Sequence, residues 1–364
     1  MIISVNNPVQ ATYIFSALFF VALFICIRKK QNSDFFSPLV SQELKGLAML
    51  AIIFSHIGYF LVNDNRFLFP LSIMAGVGVN LFLFLSGYGL TISSLHKKYS
   101  VWQFYQRRLL KLFTPFWLTI IVFLLLDLFI LKISYNWEYI IRSILGFFPS
   151  ADLSRDLNSP FWYFTLILFY YVIFPLVFSK KYPWLSALGI YIFSAYIIHT
   201  EPSFLTEVLS LYKVHLMAFP LGMIMASVMQ YKDKITFPTV YPWLRKIGYY
   251  VCLILLIGIV GYTAYHSGVG KSPLTEELIS LVTMSSILGI FILKKIEFRL
   301  LYLYGIFSYE IYLLHWPILS RHDFLFSWLP AWLAVLLYLL IFLGLGWLLQ
   351  YISVKINDQC GRNK

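Results

Sequence analysis

Long apolar runs follow one another along almost the entire chain, separated only by short polar connections. A helix needs about 20 predominantly apolar residues to span the hydrocarbon core of a membrane. Of the 364 residues, 60% are hydrophobic and 12% are charged, whereas soluble domains contain about 45–50% apolar and about 25% charged residues. A soluble fold could not cover this much apolar surface, so we predict an all-α bundle that crosses the membrane many times.

Applying this length rule divides the chain into eleven predicted transmembrane helices. They cover residues 9–27, 45–62, 73–95, 109–131, 160–179, 184–199, 214–230, 245–265, 274–293, 300–318 and 330–354. The longest connection, residues 132–159, is too short for a soluble domain. We therefore expect any chemistry to take place within one helical bundle or at its faces.

The basic residues indicate how this bundle is oriented. Over alternate connections, 21 lysines and arginines lie on one side and 7 on the other. Cytoplasmic connections carry the excess of basic residues, so the N-terminus is predicted outside and the C-terminus in the cytoplasm. The same rule accounts for the net charge of +12 without a nucleic-acid partner. The three cysteines show no spacing typical of a metal site.

A few ionisable residues fall within predicted helices, where burying a charge is costly and a functional role is expected. They are His56, Asp127, Glu310 and His315. His56 follows Lys45 by eleven residues, and Glu310 follows Arg299 by eleven residues. At about 1.5 Å of rise per residue, both reach a similar depth near the middle of the membrane.

A histidine and a carboxylate at one depth can act as a general base and its orienting partner. This arrangement is the functional interpretation of His56 and Glu310. The alternative is that each side chain hydrogen-bonds to a neighbouring helix and serves packing alone. Asp127 lies near the outer end of its helix and is predicted to be interfacial.

A basic cluster opens the fourth predicted helix at the cytoplasmic side. Arg107, Arg108 and Lys111 lie within one and a half helical turns of each other. Guanidinium groups bind phosphates through paired hydrogen bonds, so the cluster is a candidate site for a phosphorylated ligand. The excess of basic residues on the cytoplasmic side would also produce such a cluster.

Five segments resemble, in order, the motifs of the acyltransferase-3 family of membrane acyltransferases. They are residues 44–48 followed by His56, residues 78–88, residues 107–111 followed by 115–117, residues 160–175, and residues 308–317. Departures from the family pattern are Lys45 and Lys111, where arginine is usual, and Asn80, where aspartate is common. The resemblance divides the chain into an extra N-terminal helix and link, residues 1–43, and an acyltransferase-3-like transmembrane domain, residues 44–364.

The resemblance implies an O-acyltransferase that carries acetyl from cytoplasmic acetyl-CoA to a hydroxyl group of a glycan outside the cell. The implied residues are His56 and Glu310 for catalysis, Lys45, Arg107, Arg108 and Lys111 for binding acetyl-CoA, and Ser86, Trp162 and Tyr309 for binding the substrate. His56 would act as general base or carry the acetyl group transiently. No metal is expected.

Alternative functions are a glycan transporter or flippase, a lipid-linked polysaccharide polymerase, and transfer of succinyl instead of acetyl. In each case the partners would be the lipid bilayer and a surface polysaccharide or lipid-linked oligosaccharide. We expect a multi-pass protein of a bacterial plasma membrane. A cation cluster together with a buried base favours the transferase, because a transporter needs neither.

Overall fold

The computed structural model describes residues 3–30, 36–62, 66–97, 100–231, 241–267 and 272–362. The helices are α1 (Pro8–Ile25), α2 (Pro38–Tyr59), α3 (Ala75–His96), α4 (Val101–Leu126), α5 (Trp137–Leu145), α6 (Trp162–Val177), α7 (Pro183–Thr200), α8 (Leu209–Lys213), α9 (Ala218–Met229), α10 (Pro242–Tyr265), α11 (Pro273–Leu293), α12 (Arg299–Ile306), α13 (Ser308–Ser320) and α14 (Ala331–Arg362). Strands β1 (Ile27–Lys29) and β2 (Ile296–Phe298) form a short antiparallel pair. The predicted all-α class is confirmed.

Within these residues, nine helical segments are long and apolar enough to cross a membrane. They contain α1, α2, α3, α4, α6, α8 with α9, α10, α11 and α14. The other two predicted spans are also helical: α7 covers one, and α12 with α13 covers the other, interrupted at Phe307. A multi-pass bundle is therefore confirmed, while eleven crossings and the orientation of the termini remain predictions.

Glycines bring two pairs of helices into direct backbone contact. A Cβ on Gly46 of α2 or Gly305 of α12 would lie 1.9 or 1.8 Å from a carbonyl oxygen of the other helix. Gly87 of α3 and Gly222 of α9 approach each other's helices in the same way, at 2.2 and 2.0 Å. Membrane helices pack closely where small residues meet. The first pair of glycines therefore sets how closely α2 lies against α12, and the second pair sets how closely α3 lies against α9.

The N-terminal helix α1 is tied to the bundle at both ends. At one end, Ile3 donates a backbone hydrogen bond of 2.7 Å to the carbonyl of Phe60. At the other, β1 pairs with β2, and Arg28 forms a 2.6 Å ion pair with Glu297. The helix predicted to be an addition to the transmembrane domain is thus packed as part of the same bundle.

A buried ion pair joins α2 to the connection between α11 and α12. The Lys294 ammonium lies 2.8 Å from both carboxylate oxygens of Glu43, and Phe298 donates its backbone N–H to the same carboxylate. Burial lowers the pKa of Lys294, an effect that the Glu43 carboxylate opposes. Removing one partner would leave an uncompensated buried charge, so this pair holds the start of α12 against α2.

Candidate active site

Two buried histidine rings from different helices meet inside the bundle. His56 lies in the last turn of α2, and its Nδ1 is 2.7 Å from Nε2 of His315 on α13. The rings are nearly parallel, at 8° with 5.0 Å between centroids. Trp316 packs edge-on against His56. His315 is fully buried, whereas His56 keeps 8% of its surface exposed, so of the two residues only His56 retains any exposed surface.

The geometry of α13 follows from its sequence. Pro317 has no N–H, so the carbonyl of Leu313 lacks the donor that a helix normally provides. Asn158 supplies the missing bond, donating its side-chain N–H to Leu313 over 3.0 Å. This bond links the segment before α6 to α13 two residues before His315.

Glu310 is not the hydrogen-bond partner of His56. It lies in the first turn of α13, five residues before His315, and its Oε2 has no partner among the described residues. The predicted pair of His56 with Glu310 is therefore replaced by His56 with His315. The equal spacing of eleven residues from Lys45 to His56 and from Arg299 to Glu310 did not give equal depths. Lys45 lies well inside α2, whereas Arg299 is the first residue of α12, so the two counts start at different levels. A catalytic role of Glu310 remains a prediction.

Glu310 instead belongs to a group of charges contributed by three helices. Lys45 of α2 interacts electrostatically with Glu310 of α13 and with Arg108 of α4. We call these three residues the Glu310 cluster. Two cations and one carboxylate leave it with a net positive charge, which suits an anionic ligand.

The four cations predicted to bind acetyl-CoA are divided by the structure. Arg108 is half-buried, and it and Lys45 belong to the Glu310 cluster. Arg107 and Lys111 are exposed. Residues three apart on a helix point in directions that differ by about 60°. Here that angle leaves Arg108 half-buried and Lys111 exposed.

Tyrosines lie between the Glu310 cluster and the histidine pair. Tyr309 is next to Glu310, and its ring is 6.4 Å from that of Tyr312, which in turn lies 6.3 Å from His315. The Tyr309 hydroxyl donates to the carbonyl of Leu112 over 2.6 Å. Because its single proton is used there, Tyr309 can offer a substrate only the lone pairs of its oxygen.

Ser86, another predicted substrate contact, also lies in this region. Its hydroxyl is beside that of Tyr171, which interacts with Arg108. Ser86 is half-buried on α3. The structure therefore brings Ser86, Tyr309, Lys45, Arg108 and Glu310 into one neighbourhood, and their roles in binding stay predictions.

Trp162 lies in a separate polar network that the sequence did not reveal. Its ring stacks on His215 at 5.6 Å and 14°. His215 Nδ1 is 2.7 Å from Oδ1 of Asn80, and the Asn80 amide donates to Ser280 over 2.8 Å. His215 covers one face of Trp162, so a sugar could stack only on the other. The one available signal was Asn80, where the resembled motif commonly has aspartate.

A second group of buried charges surrounds Asp127. Asp127 is fully buried and accepts hydrogen bonds from Arg321, from Tyr135 at 2.6 Å and from His322 at 3.1 Å. We call these residues the Asp127 cluster. Arg321 also donates to backbone carbonyls of the 154–156 segment, including Asp156 at 2.7 Å. Partners distant in sequence therefore bury Asp127 inside the protein, and its position at the membrane interface stays a prediction.

Comparison with known proteins bears on the chemistry of this site. The chain matches the family model of the acyltransferase domain over residues 44–351, nearly its whole length. No curated protein and no solved structure gives a significant match. The matched range contains the histidine pair and both charge clusters. The chain therefore belongs to the acyltransferase-3 family of membrane acyltransferases.

Proposed function

We propose that the protein is an O-acyltransferase that moves acetyl from cytoplasmic acetyl-CoA to a hydroxyl group of a surface or exported glycan. The observation that carries this proposal is the occurrence, on adjoining helices, of a buried histidine that keeps a small exposed surface and of a positively charged cluster. α13 supplies Glu310 to the cluster and His315 to the histidine pair. One helix thus connects a site for an anionic donor to a site for proton transfer.

Acetyl-CoA matches the charge of the Glu310 cluster. Its phosphates are anionic, and the Arg108 guanidinium can grip a phosphate through two parallel hydrogen bonds. Lys45 adds a second, partly buried cation. The exposed Arg107 and Lys111 at the same end of α4 would attract the phosphates toward the entrance.

His56 is the proposed general base. It takes the proton from the acceptor hydroxyl while the hydroxyl oxygen attacks the thioester carbonyl of acetyl-CoA. The new C–O bond forms, the C–S bond breaks, and the leaving thiolate takes the proton back from His56. A positioned general base contributes about 10²–10⁴-fold to such a step. Transient transfer of the acetyl group to the His56 ring is the other route open to the same side chain.

Glu310 is proposed to act on the donor and not on His56. Its Oε2 has no partner among the described residues, and an unsatisfied buried acceptor is costly unless a ligand supplies a donor. The amide N–H groups of the pantetheine arm are such donors. Ser86, Tyr309 and the open face of Trp162 are the proposed substrate contacts.

The acceptor is proposed to approach from outside the cell, in keeping with the distribution of basic residues. A bacterial plasma membrane and an acceptor built from sugars, either polysaccharide or lipid-linked oligosaccharide, belong to this proposal. Membership of an acyltransferase family favours acyl transfer over transport or polymerisation.

The test is glycan NMR of a deletion strain that carries variants of the gene. Deletion should remove the O-acetyl methyl signals, and the wild-type gene should restore them. His56→Ala should leave less than about a tenth of the wild-type O-acetyl content, given the size of general-base effects. The matched control is His199→Ala, since His199 is an exposed histidine at the end of α7. Full acetylation by His56→Ala at normal protein levels would refute the proposed role.

A further inference from the structure

We propose that His315 is a positioning residue that holds His56 in the tautomer whose Nε2 is the base. The inference deepens the proposed function, and only its activity readout rests on that function. The tautomer of His56 is a property of the resting protein and can be measured without any substrate.

The starting point is the proton on Nδ1 of His315. This nitrogen lies 3.0 Å from the carbonyl oxygen of Ile311 and 2.9 Å from that of Tyr312. A carbonyl oxygen can only accept a hydrogen bond, so Nδ1 of His315 must carry the proton. Both carbonyls belong to the preceding turn of the same helix, so the proton's place follows from the helix itself.

The second step concerns the charge of the His315 ring. The ring is fully buried, and its aromatic neighbours are His56, Tyr312 and Phe342. No carboxylate of the described residues hydrogen-bonds to it. An uncompensated buried charge is costly, so the ring is neutral. With Nδ1 protonated, Nε2 of neutral His315 carries a lone pair and accepts.

The third step transfers this constraint to His56. Its Nδ1 lies 2.7 Å from the accepting Nε2 of His315, so Nδ1 of His56 must be the donor. A neutral imidazole has one protonated nitrogen, which leaves a lone pair on Nε2 of His56. No hydrogen bond among the described residues engages that nitrogen. Two backbone carbonyls of α13 thus determine, through two rings, which nitrogen of His56 is basic.

The arrangement differs from a catalytic triad in the nature of the orienting group. In the serine-protease triad, a buried carboxylate orients the histidine and stabilises its protonated form. Here a neutral imidazole orients it, and no permanent charge has to be buried. When His56 takes up a proton, its Nδ1–H bond to His315 becomes charge-assisted and therefore stronger. His315 thereby also stabilises the protonated base without touching substrate.

The experiment compares two substitutions of His315 in the full-length protein, using ¹⁵N NMR of histidine-labelled samples in detergent. His315→Leu removes the acceptor, whereas His315→Gln keeps a carbonyl oxygen able to accept from His56. The His56 signals are assigned by their loss in His56→Gln. Wild type and His315→Gln should show His56 protonated on Nδ1, and His315→Leu should shift the proton toward Nε2.

Kinetics supply the second readout. His315→Leu should lower kcat by about 100-fold or more, within the range of general-base effects, with little change in KM for acetyl-CoA. His315→Gln should recover at least about a tenth of wild-type kcat, since its carbonyl oxygen preserves the orienting bond. A role in packing alone would make the two variants equally defective and would move KM and thermal stability as well.

The outcomes separate this inference from the proposed function. A wild-type His56 protonated on Nε2 overturns the inference, and so do equal kcat losses in the two variants. If a variant does not give monodisperse protein, the tautomer of the wild type alone decides. If the wild type shows the stated tautomer but His56→Ala is still active, the catalytic role of His56 is overturned and the inference about its tautomer stands.

Discussion

The Glu310 and Asp127 clusters both bury charges inside the bundle, but they differ in how completely their hydrogen bonds are satisfied. Both oxygens of Asp127 have partners, and Nη2 of Arg321 donates to backbone carbonyls. In the Glu310 cluster one carboxylate oxygen has no partner in the part of the chain that the structure describes, and cations are in excess. A satisfied polar network stabilises a fold, whereas an unsatisfied one is costly until a ligand completes it.

The comparison assigns different tasks to two arginines. Arg321 directly follows α13 and ties the helix that carries His315 to Asp127, just after α4, and to the 154–156 segment. Arg108 is part of the Glu310 cluster and, within the described ranges of the chain, has no such set of backbone partners. We infer that the Asp127 cluster supports the site and that the Glu310 cluster forms part of it. The following predictions test this division.

The largest expected effect is on stability, from breaking the Asp127 cluster. Arg321→Ala should destabilise the protein by about 3–5 kcal/mol, the usual cost of removing one partner of a buried ion pair. Thermal unfolding in detergent, followed by tryptophan fluorescence, measures the change. The matched control is Arg142→Ala, whose ion pair with Glu138 at 3.2 Å is exposed, and which should cost less than about 1 kcal/mol. Equal shifts in Tm would contradict the supporting role.

The next effect is on donor binding, from the Glu310 cluster. Arg108→Ala should weaken coenzyme A binding by roughly 10-fold or more, because hydrogen bonds to charged groups contribute about 1.5–3 kcal/mol. Lys111→Ala is the control, since that side chain is exposed, and should change affinity only a few-fold. Isothermal titration measures both, and Tm should stay near the wild-type value. An unchanged affinity of Arg108→Ala would remove the cluster from the donor site.

A smaller effect of opposite sign is expected for Glu310. Glu310→Gln removes the only negative charge of the cluster but keeps a carbonyl oxygen that can accept from the pantetheine amides, so the anionic coenzyme A should bind more tightly. Opposite and like charges near a protein surface interact by about 4 kcal/mol at 4 Å and less at longer range, so a gain of a few-fold is expected. The same titration detects it. Weaker binding would mean that an amide oxygen cannot replace the proposed contact of the Glu310 carboxylate with the donor.

The smallest perturbation locates the two clusters relative to the membrane. Leu153 is 49% exposed beside the segment that Arg321 binds, and Lys97 is exposed at the end of α3. In intact cells, a membrane-impermeant thiol reagent should label Leu153→Cys and should not label Lys97→Cys. Neither substitution should alter Tm. Labelling of Lys97→Cys would contradict the predicted orientation. Labelling of Lys97→Cys without labelling of Leu153→Cys would place the Asp127 cluster on the cytoplasmic side.

Much of the candidate site could be predicted from local pattern. His56, Lys45 and Arg108 stand at motif spacings, and the structure places Lys45 and Arg108 in one cluster. The partner of His56 could not be predicted in the same way. His315 was recognisable as an ionisable residue in a predicted helix, but choosing between it and Glu310 required the rotation of α13 about its axis. Each residue turns a helix by about 100°, so a small error in where a helix begins selects a different side chain.

The sequence by itself determined that the chain is a bundle of membrane helices, because apolar length and charge distribution are properties of consecutive residues. It also determined the family, because the motifs are carried by short segments. Only the tertiary structure decided which polar groups meet. The contacts between His56 and His315, between Asp127 and Arg321, and between Trp162 and His215 join residues 259, 194 and 53 positions apart. Such contacts depend on helix rotation and on close approach at glycines, which hydropathy does not encode.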